Sequence, residues 1–250
     1  MTLELEGLGR YYGGVHAVDG VSFSVESDSI TALIGPNGAG KTTLLNIASG
    51  VTPPSFGRIR FDGRDITGRR PHEVCRAGMA RTFQTPQLFQ SMSVIENVMV
   101  GTTSRGHLNL FEVAFGLRRP KRETHQYRSE ALQILHALGL QHLAEAVLGS
   151  LPFGMLRLVE IARALATQPK LVMMDEPASG LSRAETGRLR DVIAQIVARG
   201  VAVLLVEHNM RLVMSIATRV IVLDKGKVLA TGTPSEVQKN PAVLQAYLGH

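Results

Sequence analysis

Gly35-Pro36-Asn37-Gly38-Ala39-Gly40-Lys41-Thr42 fits the pattern G-x-x-x-x-G-K-[ST], which cradles nucleotide phosphates. An apolar run at residues 31–34 precedes it, and residues 43–48 read as a helix that ends near Gly50 and the breaker Pro53-Pro54. Strand, glycine-rich turn and helix, in that order, are the context that gives the motif its meaning. The glycines let backbone N–H groups turn inward around a β-phosphate at the positive end of the helix. Lys41 is expected to be largely exposed when no nucleotide is bound and to bridge the β- and γ-phosphates, and the Thr42 hydroxyl is expected to ligate Mg²⁺. The eight residues of the loop, with Thr43 behind them, are the expected nucleotide-binding set.

Working outward, residues 171–176 read Leu-Val-Met-Met-Asp-Glu. A buried strand of a parallel sheet can present carboxylates at its C-terminal end, beside a phosphate loop. Asp175 is therefore expected in the Mg²⁺ shell, and Glu176 is expected to polarise an attacking water. Gln84, in Arg81-Thr82-Phe83-Gln84, can reach both the Mg²⁺ and that water. His208 stands at the end of the next apolar run, 201–206, where it can contact a γ-phosphate. Tyr12, ahead of Gly13-Gly14, either stacks on an adenine ring or packs as an edge-strand tyrosine; local sequence favours neither.

The organisation around these motifs is mixed. Residues 3–5, 21–25, 31–34 and 58–61 are short apolar or alternating runs separated by Gly, Asp and Ser, as in strands. From about 93 to 139 the period turns helical, with Glu130, Ala131, Leu132, Ile134, Leu135 and Leu138 along one face. From 171 onward, apolar strands at 171–175, 201–206 and 220–223 alternate with helices, which implies a parallel sheet covered on both faces. The first of these helices opens with the capping-box sequence Ser182-Arg183-Ala184-Glu185. Residues 227–231 can add a further strand, and Thr233-Pro234-Ser235-Glu236 caps a last helix. The expected division is an ATP core of residues 1–84 and 160–250, an inserted helical lobe at 85–159, and a C-terminal helix at 234–250.

Composition sets outer limits. The chain has 250 residues, a hydrophobic fraction of 44% and a formal charge of +6. No apolar run approaches the roughly 20 residues that span a bilayer as a helix, and residues 1–10 lack the apolar stretch of a signal peptide. The chain is thus expected in the cytosol unless a partner tethers it. The single cysteine, Cys75, excludes an intrachain disulfide and argues against a cysteine metal site. Without long runs of like charge, the basic balance does not point to nucleic acid. The densest patch, Arg118-Arg119-Pro120-Lys121-Arg122, reads as a solvated helix start, with a membrane-surface contact as the sharper alternative.

The order phosphate loop, Gln84, Leu151-Pro152-Phe153-Gly154, Asp175-Glu176 and His208 resembles the nucleotide-binding subunits of ABC transporters, over nearly the whole chain. The resemblance implies an α/β, P-loop NTPase ATP core with an antiparallel β lobe and an inserted helical lobe that docks on membrane subunits. Residues 151–155 stand where that family has its Leu-Ser-Gly-Gly-Gln signature, followed by the helix Glu160-Ile161-Ala162-Arg163-Ala164-Leu165, so Pro152 and Gly154 are expected to face nucleotide. Pro152 brings neither a hydroxyl nor an N–H, and Met155, Leu156 and Ser182 also depart from the usual residues. More narrowly, residues 23–25 after Tyr12-Gly13-Gly14, residues 81–84, the insertion at 101–139, Val206-Glu207-His208-Asn209-Met210 and the ending around Asn240-Pro241 look like the branched-chain amino acid (LivG-type) import ATPases of bacteria. That likeness implies ATP and Mg²⁺ as cofactors and hydrolysis coupled to import of branched-chain amino acids or a related small polar solute. The implied partners are two transmembrane permease subunits, a second ATP-binding subunit in a heterodimer or homodimer, and indirectly a periplasmic solute-binding protein. The implied location is the cytoplasmic face of the inner membrane. Two other assignments share the core: an ATPase for lipid or lipopolysaccharide export, and a non-transport ABC-type ATPase of translation or DNA repair. The second normally carries two fused cores or a long coiled coil, and neither is present.

Overall fold

The computed structural model describes residues 2–105 and 121–248. Arg118, Arg119 and Pro120 of the basic patch and the middle of the 101–139 insertion lie outside the described residues, as do the side chains of Lys121 and Arg122. The chain divides into two compact units, Met1–Gln84 with Lys170–His250 and, separately, Thr85–Pro169.

In the first unit, β1 (Leu3–Tyr12) and β2 (Val15–Val25) form a long hairpin; with β4 (Phe56–Phe61) and β5 (Arg64–Asp65) they make an antiparallel sheet in the order β2-β1-β4-β5. The second sheet runs β10-β9-β3-β8-β7-β6, from β3 (Ile30–Ile34), β6 (Met79–Thr82), β7 (Leu171–Asp175), β8 (Ala202–Val206), β9 (Arg219–Asp224) and β10 (Lys227–Gly232). Its pairs are parallel except β9 with β10. β3, β7 and β8 are buried at every position, as strands covered on both faces must be. Side-chain alternation sorts them into two cores. Leu33, Ile221 and Leu223 join α1 (Lys41–Ala48) and the antiparallel sheet in one cluster. Ala32, Ile34, Val220 and Val222 face the other way, against Val213, Val237 and Val243. Each fully buried aliphatic side chain contributes about 1.5–3 kcal/mol.

α6 (Arg183–Val197) opens with the expected capping box, Ser182 Oγ accepting from the Glu185 N–H while the Glu185 carboxylate accepts from the Ser182 N–H. After α7 (Met210–Ile216) and the last two strands, the expected single C-terminal helix is two, α8 (Pro234–Lys239) and α9 (Pro241–Leu248). The break is at Asn240, held extended at φ −74°, ψ 119° because the Pro241 ring excludes helical geometry from the residue before it. A further helix, α2 (Pro71–Ala77), precedes β6.

The second unit is helical. α3 (Val94–Thr102), α4 (Lys121–Ala137) and α5 (Phe153–Leu165) pack on one another. Residues 160–169, expected with the ATP core, belong to this unit, since α5 runs without interruption from Phe153 to Leu165 and the unit ends only at Pro169. On α4, Ala131 and Leu135 are buried at helical spacing with Leu138 just beyond, whereas Leu132 is exposed. α3 and α5 approach so closely at Gly101 that a Cβ there would sit 2.2 Å from the Arg163 carbonyl oxygen and 2.9 Å from the Ala166 Cβ. Gly101→Ala should therefore force the helices apart and cost about 1–3 kcal/mol, read as a lower melting temperature. An unchanged melting point would show that the contact yields freely.

Candidate functional site

β3, β8, β7 and β6 are parallel neighbours, so their C-terminal ends open on one edge of the sheet. That edge carries the phosphate loop, Glu207-His208, Asp175-Glu176 and, two residues beyond β6, Gln84. Parallel α/β sheets bind ligands at such an edge.

The phosphate loop closes on itself before α1 begins. The Ala39 N–H donates to the Pro36 carbonyl at 3.2 Å, and the Ala39 carbonyl accepts from the Gly226 N–H at 3.0 Å. Gly40 is the N-cap at φ 100°, ψ 6°, a left-handed conformation that glycine adopts without strain. A Cβ there would also lie 2.3 Å from the Ala17 carbonyl oxygen. Asn37, Gly38 and Thr42 are exposed at the mouth, and Thr43 is half-buried. Lys41 differs from expectation: it is only 6% exposed. Its ammonium donates to the Gly35 and Pro36 carbonyls at 2.7 and 2.9 Å, so the loop itself satisfies the charge. Burial pushes the Lys41 pKa down, against the opposite pull of Glu176 and Asp175.

Asp175, 5% exposed, accepts from the Arg81 guanidinium at 3.0 Å. Burial pushes its carboxyl above the ordinary carboxylate value, while Arg81 draws it back. Arg81 also donates to Asn46 Oδ1 at 2.8 Å and Ser49 Oγ at 2.9 Å, which fastens the acid to α1. Sequence alone gives Arg81 no role, because the acid it holds lies 94 residues further on. Removing one member of a buried ion pair strands the other. Arg81→Met should thus lower stability by roughly 3–5 kcal/mol in urea unfolding, and a loss below about 1 kcal/mol would show the pair to be solvated.

Glu176 has φ 47°, an unfavourable conformation for a non-glycine residue that clusters at functional sites. Its N–H donates to the Val206 carbonyl at 2.9 Å, which fixes it against β8. One carboxylate oxygen lies 2.7 Å from His208 Nε2, and the other accepts from Gln84 Nε2 at 3.1 Å. The structure thus brings three expected residues into direct contact and sets Asp175 and Lys41 within electrostatic reach. Glu207, which the sequence reading passed over, is 3% exposed and accepts three backbone N–H bonds. Burial raises its carboxyl pKa and those bonds lower it, with burial the larger effect.

Tyr12 is 47% exposed, and the Arg10 guanidinium lies 4.7 Å from its ring centroid, so it is no packed edge tyrosine. In the second unit, Pro152 is the N-cap of α5, with no side-chain cap, and Gly154 is buried in the first turn. Below them Arg157 is fully buried and pairs with Glu160 at 3.1 Å.

Residues 18–179 match the family described as "ABC transporter", and residues 227–250 match "Branched-chain amino acid ATP-binding cassette transporter". The chain is 41% identical over 251 residues to the high-affinity branched-chain amino acid transport ATP-binding protein BraF of Pseudomonas aeruginosa, covering 99% of this chain and 97% of that protein. It is 38% identical to the LivG protein of Escherichia coli, described in the same words, with the same coverage. The crystal structure of an ADP conformation of an ABC transporter ATP-binding cassette superposes with a TM-score of 0.88 at 35% identity, over 100% of this chain and 99% of that one. A nucleotide-free cassette gives 0.87, at the same identity and coverage.

Proposed function

The chain belongs to the ABC transporter family, and on that premise we propose that it is the ATP-hydrolysing subunit of an importer for branched-chain amino acids or a related small polar solute. The observation that carries the reading is the Glu176 carboxylate held between His208 and Gln84 beside the phosphate loop. Water needs a carboxylate fixed in this way to give up its proton as it attacks the γ-phosphorus. The bond from that phosphorus to the bridging oxygen then breaks, leaving ADP and inorganic phosphate.

Each residue has its part. Loop N–H groups and Lys41 hold the β- and γ-phosphates, and Tyr12 offers an exposed ring face to adenine. His208 donates towards the γ-phosphate and orients Glu176. The oxygens of Thr42, Asp175 and Gln84 are hard donors of the kind that suits Mg²⁺ beside phosphates. When bound, that ion neutralises charge on the β- and γ-oxygens. Pro152 and Gly154, at the start of α5, are assigned to the nucleotide of the opposite subunit in a two-subunit sandwich.

No helix among the described residues is long and apolar enough to cross a membrane. The importer reading brings partners with it: two permease subunits, a second ATP-binding subunit and a periplasmic binding protein, with this chain peripheral on the cytoplasmic face. ATP closes the sandwich and hydrolysis releases it, a ligand-driven shift between two states. The test is ATP-dependent uptake of leucine, isoleucine and valine into vesicles carrying the assembled transporter. Uptake that follows ATP hydrolysis supports the reading; hydrolysis stimulated only by lipid, with no uptake, would replace it with an export ATPase.

A further inference from the structure

Glu207 is a buried acid for which the mechanism above has no use. β8 delivers it after five fully buried apolar residues, at the point where the chain leaves the sheet. One of its oxygens accepts from the Ala178 N–H at 2.7 Å. The other accepts from the N–H groups of His208 and Asn209, both at 3.1 Å. All three donors lie outside helices and strands, in turns where no ladder would otherwise satisfy them. Asn209 continues the chain of contacts, its side chain capping α7 by accepting from the Leu212 N–H at 3.1 Å.

Two ties therefore join the turn after β7 to the turn after β8. One is main chain, from the Glu176 N–H to the Val206 carbonyl; the other is Glu207. Between them lies the contact of Glu176 with His208 Nε2 at 2.7 Å. A single carboxylate can hold this arrangement because it has two acceptor oxygens and no hydrogen to present. Glutamine has the same length but one acceptor, and its NH₂ would face an N–H. Aspartate keeps both oxygens but is one methylene short of Ala178.

From this geometry we infer that Glu207 is a positioning residue, which locks the loop at 176–181 to the His208 turn so that His208 and Glu176 stay in register. It touches no substrate and acts through His208. The inference rests on the role given to His208 above, and the two can fail separately.

The test compares Glu207→Gln, His208→Ala and the double variant in the full chain with its transporter partners, using ATP and Mg²⁺. Glu207→Gln should lower kcat by about 10- to 100-fold, the cost of misplacing a catalytic group, and leave KM for ATP within about twofold. In the double variant it should add less than about twofold to the loss from His208→Ala, because both act through one group. If His208→Ala retains turnover, the mechanism above is wrong. If His208→Ala loses turnover while Glu207→Gln keeps it, or if the two losses multiply, only the present inference falls. Should the variant not fold, amide exchange in the unmodified chain decides. Slow exchange at Ala178, His208 and Asn209 supports the lock, and exchange at open-loop rates overturns it.

Discussion

Glu176→Gln is expected to lower ATP turnover by about 10²–10⁴-fold, the range a general base supplies, while ATP still binds and now holds two subunits together. The contacts explain why so small a change should be so specific. The carboxylate accepts from Gln84 Nε2 at 3.1 Å and meets His208 Nε2 at 2.7 Å. Glutamine keeps the length of the side chain, and its carbonyl oxygen can still accept from Gln84. The main-chain bond to Val206 and the left-handed φ of 47° are no more demanding for glutamine than for glutamate. What disappears is an acceptor basic enough to take the proton of the attacking water. With the γ-phosphate uncut, the event that ends closure does not occur. Steady-state phosphate release gives the first result. Size-exclusion chromatography with ATP and Mg²⁺, with the partner ATP-binding subunit present, gives the second. Hydrolysis near the parent rate would assign the base to another residue.

The parts of the site that could be read from sequence share one property: a local pattern that already contains its own geometry. The phosphate loop lies between a strand and a helix, and Asp175-Glu176 and His208 each follow closely on a short apolar run whose length and flanking residues suit a buried strand. α2 escaped because it buries only Val74, so no apolar period marks it. β6 escaped because it is four residues at the sheet edge and includes an arginine. Glu207 was hidden by its neighbour: beside a histidine it reads as an ordinary surface acid. Only the fold brings Ala178, 29 residues earlier, within 2.7 Å of it. Arg81 illustrates the same limit, since its partner Asp175 is 94 residues away. The break in the C-terminal helix was legible and under-read, for Asn240-Pro241 is itself a stop signal.

Lys41 shows how a motif can be identified correctly while its energetics are not. A lysine that serves phosphate was expected to be exposed, so that its removal would leave the fold untouched. Instead the side chain is 6% exposed, and its ammonium donates to the Gly35 and Pro36 carbonyls. Lys41→Met, which keeps an unbranched apolar side chain in the same space, should therefore have two effects. The first is a loss of turnover of 10³-fold or more, about the loss that follows removal of a charge from a phosphoryl-transfer site. The second is a moderate loss of stability. Hydrogen bonds to a charged group contribute about 1.5–3 kcal/mol each, and relief from burying the ammonium cancels part of that. A net loss of about 1–2 kcal/mol should lower the melting point by roughly 2–8 °C for a chain of this size. Circular dichroism and thermal melting, run beside the ATPase assay, separate the two effects. A folded variant that keeps turnover within tenfold of the parent would remove Lys41 from the phosphate site. A melting point equal to the parent's would show that the loop carbonyls take water as readily as they take the ammonium, and the bonds at 2.7 and 2.9 Å would then have no net effect on stability.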